Sequence, residues 1–169
     1  MSLGTVQPQA FNSEVGKAVN VEKSKLFSPV TNKSVTYKNR IVIPPMCMYS
    51  STDGFFNDFH LAHYASFAFK GAAAIVIEAT AVEPRGRTSP HDAGLWSDEY
   101  IAPLKRIVDL IRSQGTIPAL QLAHAGRKAS MSSLWDGYKF VPESEGGWPN
   151  DIVGPSDVPF DERYKTKMG

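Results

Sequence analysis

The only cysteine of the chain, Cys47, lies two residues before Tyr49 in the segment PPMCMYSS, which directly follows the apolar run RIVI at 40–43. A thiol can act as a nucleophile, as a contact for a bound ligand or as a small buried apolar group. A nucleophile needs a histidine base within hydrogen-bonding reach, and no cysteine-protease signature surrounds this residue. The position after a strand and two stiffening prolines favours a ligand contact.

Residues i and i+2 of an extended segment point to the same side, so the spacing predicts that Cys47 and Tyr49 share a face. Tyr49 is then either a half-buried core residue with a satisfied hydroxyl or a contact for the same ligand. Gln121 and His124 lie at the end of a later apolar run. A buried glutamine amide needs partners, which either a side-chain network or a heteroatom-rich ligand ring can provide. Spacing alone leaves both alternatives open.

His60 and His63 are three residues apart in the segment NDFHLAHYASFAFK and could share a metal ion. Two nitrogens without a third ligand nearby make a weak site. We therefore expect packing and helix-capping roles for both histidines, and we predict no metal site.

The elements that must position these residues alternate between strand and helix. We predict strands near 40–44, 73–79 and 117–123 and helices over 57–70 and 97–115 from apolar periodicity and cap residues. The first helix is expected to have its cap at Asn57 or Asp58. The second is expected to begin with a capping box at Ser97, in SDEY, and to place Ile101, Ile107 and Ile111 on its apolar face. The second strand, within AAAIVIEAT, is a continuous β-branched run with no alternation, which is typical of a strand buried on both faces of a parallel sheet. The alternation predicts an α/β fold with right-handed crossovers.

The remaining segments of the chain flank these strands and helices. Residues 1–24 are polar and aperiodic, which predicts an extended amino-terminal arm before a domain at 25–169. A hairpin is expected before the first strand, and 130–169 reads as loop. A closed (β/α)8 barrel typically takes about 250 residues. Three parallel strands leave sheet edges open, so we expect the chain to be part of a larger object.

Composition excludes several classes of function. Eighteen Lys and Arg against seventeen Asp and Glu give a net charge of +1, with no basic block for nucleic acid or an anionic membrane. No apolar stretch reaches the length of a membrane span, and the first residues lack the order of a secretory signal. We therefore expect a cytoplasmic protein, and a single cysteine allows no intrachain disulfide.

Four motifs follow one another along the chain: P-M-C-M-Y from Pro45, E-A-x-x-V-x-P-x-G-R from Glu78, G-x-W-S-D-E from Gly94 and Q-L-x-H-A-G-R from Gln121. In this order and spacing, they resemble the amino-terminal part of the Old Yellow Enzyme family of FMN-dependent ene reductases. The similarity runs from about Leu26 to the end of the chain. Cysteine in the first motif, where other members carry threonine, points to the subclass first described in bacteria and also found in fungi. The insertion WDGYKFVPESEGGW resembles the fungal versions.

The resemblance implies a role for individual residues. It implies that Cys47 lies near the reactive edge of the flavin and tunes its potential, and that Tyr49 helps to orient the substrate carbonyl. It also implies that the backbone of Ala79 lets the ring approach and that Gln121 bonds its pyrimidine side. His124 and Arg127 are expected to support this motif. The backbone positions expected to run past the flavin are Pro44, Pro45 and Met46.

What the resemblance implies for the whole protein is an FMN enzyme that uses NADPH or NADH to reduce the C=C bond of α,β-unsaturated carbonyl compounds. Family members continue well beyond the third strand. The part that is missing here carries the H-x-x-H or H-x-x-N pair that binds the substrate carbonyl, the tyrosine proton donor and the arginines that bind the ribityl chain and phosphate of FMN. We therefore expect the remaining barrel to come from another chain or a longer polypeptide, with a homo-oligomer as a further possibility. The isolated chain is expected to be inactive. The alternative is a truncated, non-catalytic subunit that binds a partner through an open barrel edge.

Overall fold

A computed structural model describes residues 16–17, 20, 23–160 and 167–168. The described chain begins with the predicted hairpin, in which β1 (Val30–Asn32) pairs antiparallel with β2 (Val35–Tyr37). Lys33 occupies the turn with a φ of 53°. A β-hairpin turn of this length favours positive φ, because the backbone twist of such turns matches that of the flanking strands.

The central sheet is parallel, as the alternation of strands and helices predicts. β4 (Ala74–Ala81) lies in its middle and pairs with β3 (Val42–Ile43) and β6 (Ile117–Ala123). A two-residue strand that the sequence did not predict, β5 (Ala93–Gly94), pairs with the carboxyl end of β4. Most of β4 is buried, as expected for a continuous apolar run.

The strand boundaries differ from the prediction at the two positions that matter for a site. β3 is shorter than the predicted 40–44 and ends at Ile43, because Pro44 and Pro45 have no N–H group to donate to a neighbouring strand. Segment 44–50 is therefore irregular. β4 runs two residues beyond the predicted 79 and ends at Ala81.

The first helix, α1 (Asp58–Phe69), has the cap that the sequence predicts at Asn57. The Asn57 side chain accepts the N–H of Phe59 at 3.0 Å, and the Asn57 N–H donates to His60 Nδ1 at 3.2 Å. This reciprocal arrangement is a capping box. Gly71 follows the helix with a φ of 86°, a left-handed conformation that ends helices at low cost in glycine.

The second helix departs from prediction at its start. The capping box expected at Ser97 is absent, because the Ser97 hydroxyl donates to the Glu99 carboxylate and not to a helix end. A 3₁₀ turn over 98–100 comes first, and α2 (Ile101–Ser113) follows. Ile101, predicted on the apolar face, is exposed as a result, whereas Ile107 and Ile111 are fully buried.

The hydrophobic core lies between the two helices and the sheet. α1 contacts α2 and β4, and α2 also contacts β6. In the described part of the chain, no helix has the length and apolar character needed to cross a membrane. The buried core residues are Phe56, Tyr64, Ala68, Ala72, Ile75, Ile77, Ala93, Ile107 and Ile111.

The two ends of the chain are described only in part. Most of the predicted arm at 1–24 lies outside the described residues, although Gly16 accepts a hydrogen bond from the buried Asn39 side chain. The expected loop at 130–169 contains short 3₁₀ turns and one unpredicted pair, β7 (Val153–Gly154) beside β8 (Lys167–Met168), which run parallel. Such a short pair leaves no periodicity for the sequence to show.

Candidate functional site

The carboxyl ends of β4 and β6 lie side by side at an irregularity of the sheet. Their register shifts between Ile77 and Thr80, so Glu78 and Ala79 fall outside regular pairing. Ile77 pairs with Leu120 and Thr80 pairs with Leu122, which places Gln121 at the same level of the sheet as Glu78 and Ala79. Bulges of this kind occur often beside active sites because they redirect a side chain or a backbone group.

Cys47 lies against this irregularity. The backbone of Ala79 interacts electrostatically with the Cys47 thiol, which places two of the predicted site residues next to each other. Burial, and then the carboxyls of Asp92 and Glu78, raise the pKa of the Cys47 thiol to about 11. The thiol is therefore protonated at neutral pH, which is the opposite of what an activated cysteine nucleophile requires.

Tyr49 does not continue an extended strand. Its φ is 48°, in the left-handed region. The prediction that Tyr49 and Cys47 share a face assumed an extended segment, and that assumption is wrong. The two side chains are still electrostatic neighbours, because burial first and then Cys47 raise the pKa of Tyr49 to about 12. The Trp135 ring packs edge-on against the Tyr49 ring at a centroid distance of 5.1 Å.

The predicted contacts for a flat ligand form an open surface. Pro44 and Met46 are exposed, Pro45 is half-buried, and the small side chain of Ala79 is half-buried. Gln121 is exposed, and its amide makes no hydrogen bond within the described part of the chain. The buried network that could have satisfied this glutamine is therefore absent there, and its amide is available to a ligand.

His124 is fixed by the loop after β4. Its Nε2 lies 2.7 Å from Glu83 Oε1, and its Nδ1 accepts the N–H of Gly126 at 2.9 Å. A side chain at Gly86 would meet the His124 ring, since a Cβ there would lie 2.7 Å from the ring carbon Cδ2. His124 thus connects the end of β6 to the loop after β4. Arg127 donates to Ser156 Oγ at 3.0 Å.

A buried carboxyl group lies beneath the Cys47 segment. Glu78 is only 1% exposed. Its Oε2 accepts the backbone N–H of Met48 at 2.8 Å, and its Oε1 accepts the hydroxyl of Tyr64 at 3.1 Å. Tyr64 in turn accepts the backbone N–H of Glu78 at 2.9 Å. Burial is the main cause that raises the pKa of Glu78, to about 7.

The two histidines of α1 have the packing and capping roles that the sequence predicts. His60 caps the helix and lies 3.4 Å from Glu78 Oε1, whereas His63 stacks against Phe59. Burial lowers the pKa of both imidazoles, and that of His60 falls to about 4. Within the ranges that the structure describes, no cluster of three or more His, Cys, Asp or Glu residues is arranged to hold a metal ion.

Sequence reasoning missed two residues of this site. Glu78 is the only charged side chain in an otherwise apolar buried strand, and that alone is a signal because a lone buried carboxylate is costly. Trp135 belongs to the loop after β6 and remains 65% exposed while it packs on Tyr49. A tryptophan in a polar loop carries a weaker signal, because nothing in the sequence places it near Tyr49.

Residues 25–167 match the model of the NADH:flavin oxidoreductase / NADH oxidase family. Among curated relatives, the NADPH dehydrogenase of Bacillus pumilus is 49% identical over 148 residues, which cover 86% of this chain and 39% of that protein. The NADH:flavin oxidoreductase FG08077 of Gibberella zeae is 45% identical over 136 residues, or 80% of this chain and 33% of that protein. The chain thus spans only a third to two fifths of the length of these relatives.

Solved structures agree on the fold. Morphinone reductase is similar with a TM-score of 0.65 and 26% identity, covering 82% of this chain and 34% of that one. Old Yellow Enzyme from Pichia sp. AKU4542 has a TM-score of 0.69 at 22% identity, covering 89% and 39%. The predicted fold class, the amino-terminal part of a (β/α)8 barrel, is confirmed. With its sequence match and its fold both in agreement, the chain belongs to the NADH:flavin oxidoreductase / NADH oxidase family.

Proposed function

We propose that this chain is the amino-terminal part of an FMN-dependent ene reductase and forms one wall of its flavin and substrate site. The observation that carries the proposal is the arrangement of the strand ends. The Cys47 sulfur lies beside the backbone of Ala79, and Gln121 lies at the same level on the next strand. Among the described residues, no group hydrogen-bonds the Gln121 amide. In parallel α/β folds, ligands bind at this end of the strands.

The residues fit one side of a flat, heteroatom-rich ring. The exposed Pro44 and Met46 and the small Ala79 offer apolar contact, and the amide of Gln121 has both donors and an acceptor to offer. When bound, FMN supplies hydride transfer from NADPH or NADH to the activated C=C bond. Relatives with the names NADPH dehydrogenase and morphinone reductase, the latter also solved in complex with tetrahydroNAD, support this choice.

The side chains of this wall act by position and polarity. Tyr49 keeps its proton at neutral pH because its pKa is raised to about 12, so its hydroxyl can donate to a substrate carbonyl. The neutral thiol of Cys47 can contact the reactive edge of the ring and tune its potential without forming a covalent bond. Both roles follow from protonation states that burial maintains.

The test uses what we call the complemented protein. This is the chain co-expressed with the segment of the Bacillus pumilus NADPH dehydrogenase that lies beyond the part it matches. We expect the complemented protein to bind FMN, seen as flavin absorbance, and to consume NADPH in the presence of an enone. The isolated chain should do neither.

Two glutamine variants make this test specific to the proposed wall. Gln121→Ala should weaken FMN binding about 2- to 10-fold, the value of one lost hydrogen bond. Gln114→Ala, at the far end of α2, is the matched control and should leave FMN binding unchanged. Equal affinity of the two variants for FMN would contradict the placement of the ring against β6.

The open edge of β6 favours a second candidate, a non-catalytic subunit that pairs with a partner. Within the described chain, β6 pairs on one side only, with β4, and Leu122 is 61% exposed. An unpaired edge is a template for another strand. Association with the complementing segment without flavin absorbance or NADPH consumption would favour this candidate.

A further inference from the structure

Glu78 lies where a carboxyl group is costly. It is 1% exposed in the middle strand of the sheet, among core residues such as Ile75 and Ile77. An apolar side chain of similar size would avoid the loss of hydration. The carboxyl therefore needs an explanation beyond packing, and its hydrogen bonds provide one.

Both oxygens of Glu78 hold neighbouring elements to β4. Oε2 accepts the N–H of Met48, the residue between Cys47 and Tyr49, at 2.8 Å. Oε1 accepts the Tyr64 hydroxyl from α1 at 3.1 Å, and this bond orients the carboxyl. The backbone N–H of Glu78 donates to the same hydroxyl at 2.9 Å, so two hydrogen bonds hold Tyr64 and Glu78 in a fixed relative position.

The segment that Glu78 holds needs such support. Pro44 and Pro45 have no N–H groups, and Tyr49 has a φ of 48°, which costs energy in a residue other than glycine. A strained conformation persists only where surrounding contacts fix it. The Met48 N–H lies between the two proposed site residues, so its bond to Glu78 sets the position of both.

We propose that Glu78 is a positioning residue, which fixes the Cys47–Tyr49 segment in its functional conformation through the hydrogen bond from the Met48 N–H, with Tyr64 holding the carboxyl in place. The proposal deepens the proposed function and rests on it for the meaning of "functional". The positioning itself can be tested without flavin or substrate. For this role, residue 78 must present a hydrogen-bond acceptor oxygen in a fixed orientation at this buried position.

Hydrogen exchange of a single amide measures this. Labelling the complemented protein with ¹⁵N-methionine gives a limited set of amide signals, to which this chain contributes those of its five methionines. Met131 provides an internal reference, since its N–H donates to Thr88 O at 2.7 Å in a separate part of the structure. The measured quantity is the exchange rate of the Met48 amide relative to that of Met131, without FMN.

We expect Glu78→Ala to raise the relative exchange rate of Met48 about 10-fold, the effect of losing one buried hydrogen bond. Glu78→Gln should change it by less than about 3-fold, because the amide oxygen can accept the same bond. Tyr64→Phe should give an intermediate increase, since it frees the carboxyl without removing it. Glu99→Ala, an exposed carboxylate, is the matched control and should change nothing.

Two outcomes would overturn the proposal. One is an unchanged Met48 rate in Glu78→Ala while Met131 stays protected. The other is an equal increase in Glu78→Gln and Glu78→Ala, which would mean that the acceptor oxygen is not what matters. If Glu78→Ala unfolds and both amides lose protection, the Glu78→Gln and Tyr64→Phe rates decide between the same alternatives.

A second measurement separates this proposal from the proposed function. With FMN and an enone present, Glu78→Gln should retain turnover and Glu78→Ala should lose it. Failure of the complemented protein to bind FMN would contradict the proposed function. The exchange rate of the Met48 amide would still report whether Glu78 positions the Cys47–Tyr49 segment. Normal turnover in a Glu78→Ala variant whose Met48 amide exchanges rapidly would show that the activity does not depend on this positioning.

Discussion

At the scale of single residues, the site rests on two buried titratable groups that face each other. His60 Nε2 lies 3.4 Å from Glu78 Oε1, and burial moves their pKa values in opposite directions, to about 4 and about 7. Both groups are therefore uncharged between these values. A neutral pair avoids the cost of a charge in the core and keeps Glu78 available as a hydrogen-bonding group.

The two shifts have opposite effects on stability. The raised pKa of Glu78 contributes stability that is present below about pH 4.5 and is lost as the pH rises through about 7. The lowered pKa of His60 contributes stability that is present above about pH 6.5 and is lost as the pH falls through about 4. Each shift corresponds to roughly 3 kcal/mol, so the two effects largely cancel between pH 4.5 and 6.5.

Glu78→Gln should remove one side of this balance. Relative to the unmodified protein, the variant should gain about 3 kcal/mol in free energy of unfolding between pH 4.5 and pH 8, because it has no carboxyl to ionise. Urea unfolding of the complemented protein at several pH values measures this difference. The other titratable groups near residue 78, namely His60, Tyr64, Cys47 and Asp92, are present in both proteins. A difference that does not change with pH would contradict the assignment.

At the scale of the elements, the cap of α1 does more than end a helix. The Asn57 side chain accepts from Phe59 N–H, and its amide donates to Ser50 O at 2.7 Å. It thereby ties the helix start to the segment that follows β3. Ser97 precedes a helical segment in a similar sequence context but makes no cap bond.

Asn57→Ala should lower the free energy of unfolding by about 1–2 kcal/mol, the usual cost of a lost amino-terminal cap. Ser97→Ala, the matched control, should stay within about 0.5 kcal/mol, because its hydroxyl bonds only an exposed carboxylate. Urea unfolding of the complemented protein at constant pH measures both. Similar losses for the two variants would mean that the cap bond at Asn57 contributes little.

These two helix starts also explain what the sequence could predict. Periodicity and cap residues identified both helices and the strands β4 and β6, because each of these elements is long enough to show an apolar pattern. The two-residue β3 was found only as part of the apolar run at 40–43. The start of α2 was predicted wrongly because a capping box at Ser97 and a 3₁₀ turn before the helix have the same sequence pattern. The strands β5 and β7 were not predicted because a strand of two residues shows no periodicity. Their positions at strand ends made Cys47, Tyr49 and Gln121 candidates, and the resemblance added Ala79 and the roles expected of all four. The bond from the Met48 N–H to Glu78 lies beside a register irregularity that residue spacing does not reveal.

At the scale of the whole molecule, the sheet is asymmetric. β4 is covered on both sides, while β6 is half-exposed along most of its length and pairs within the described chain only with β4. Leu122 is 61% exposed at its carboxyl end, next to Gln121. In a closed barrel a further strand would cover this edge. Alone, the edge favours pairing between copies of the chain.

We therefore expect the isolated chain to self-associate through β6. Leu122→Lys should reduce this association, measured by sedimentation velocity at constant concentration, because a charged side chain opposes edge-to-edge pairing of strands. Leu134→Lys is the matched control: Leu134 is similarly exposed, at 63%, but lies in a 3₁₀ turn and not in a strand. It should leave the association unchanged. Equal effects of the two lysines would indicate a general change in solubility, and a monomeric isolated chain with sharp cooperative unfolding would contradict the expectation that this sheet needs a further strand.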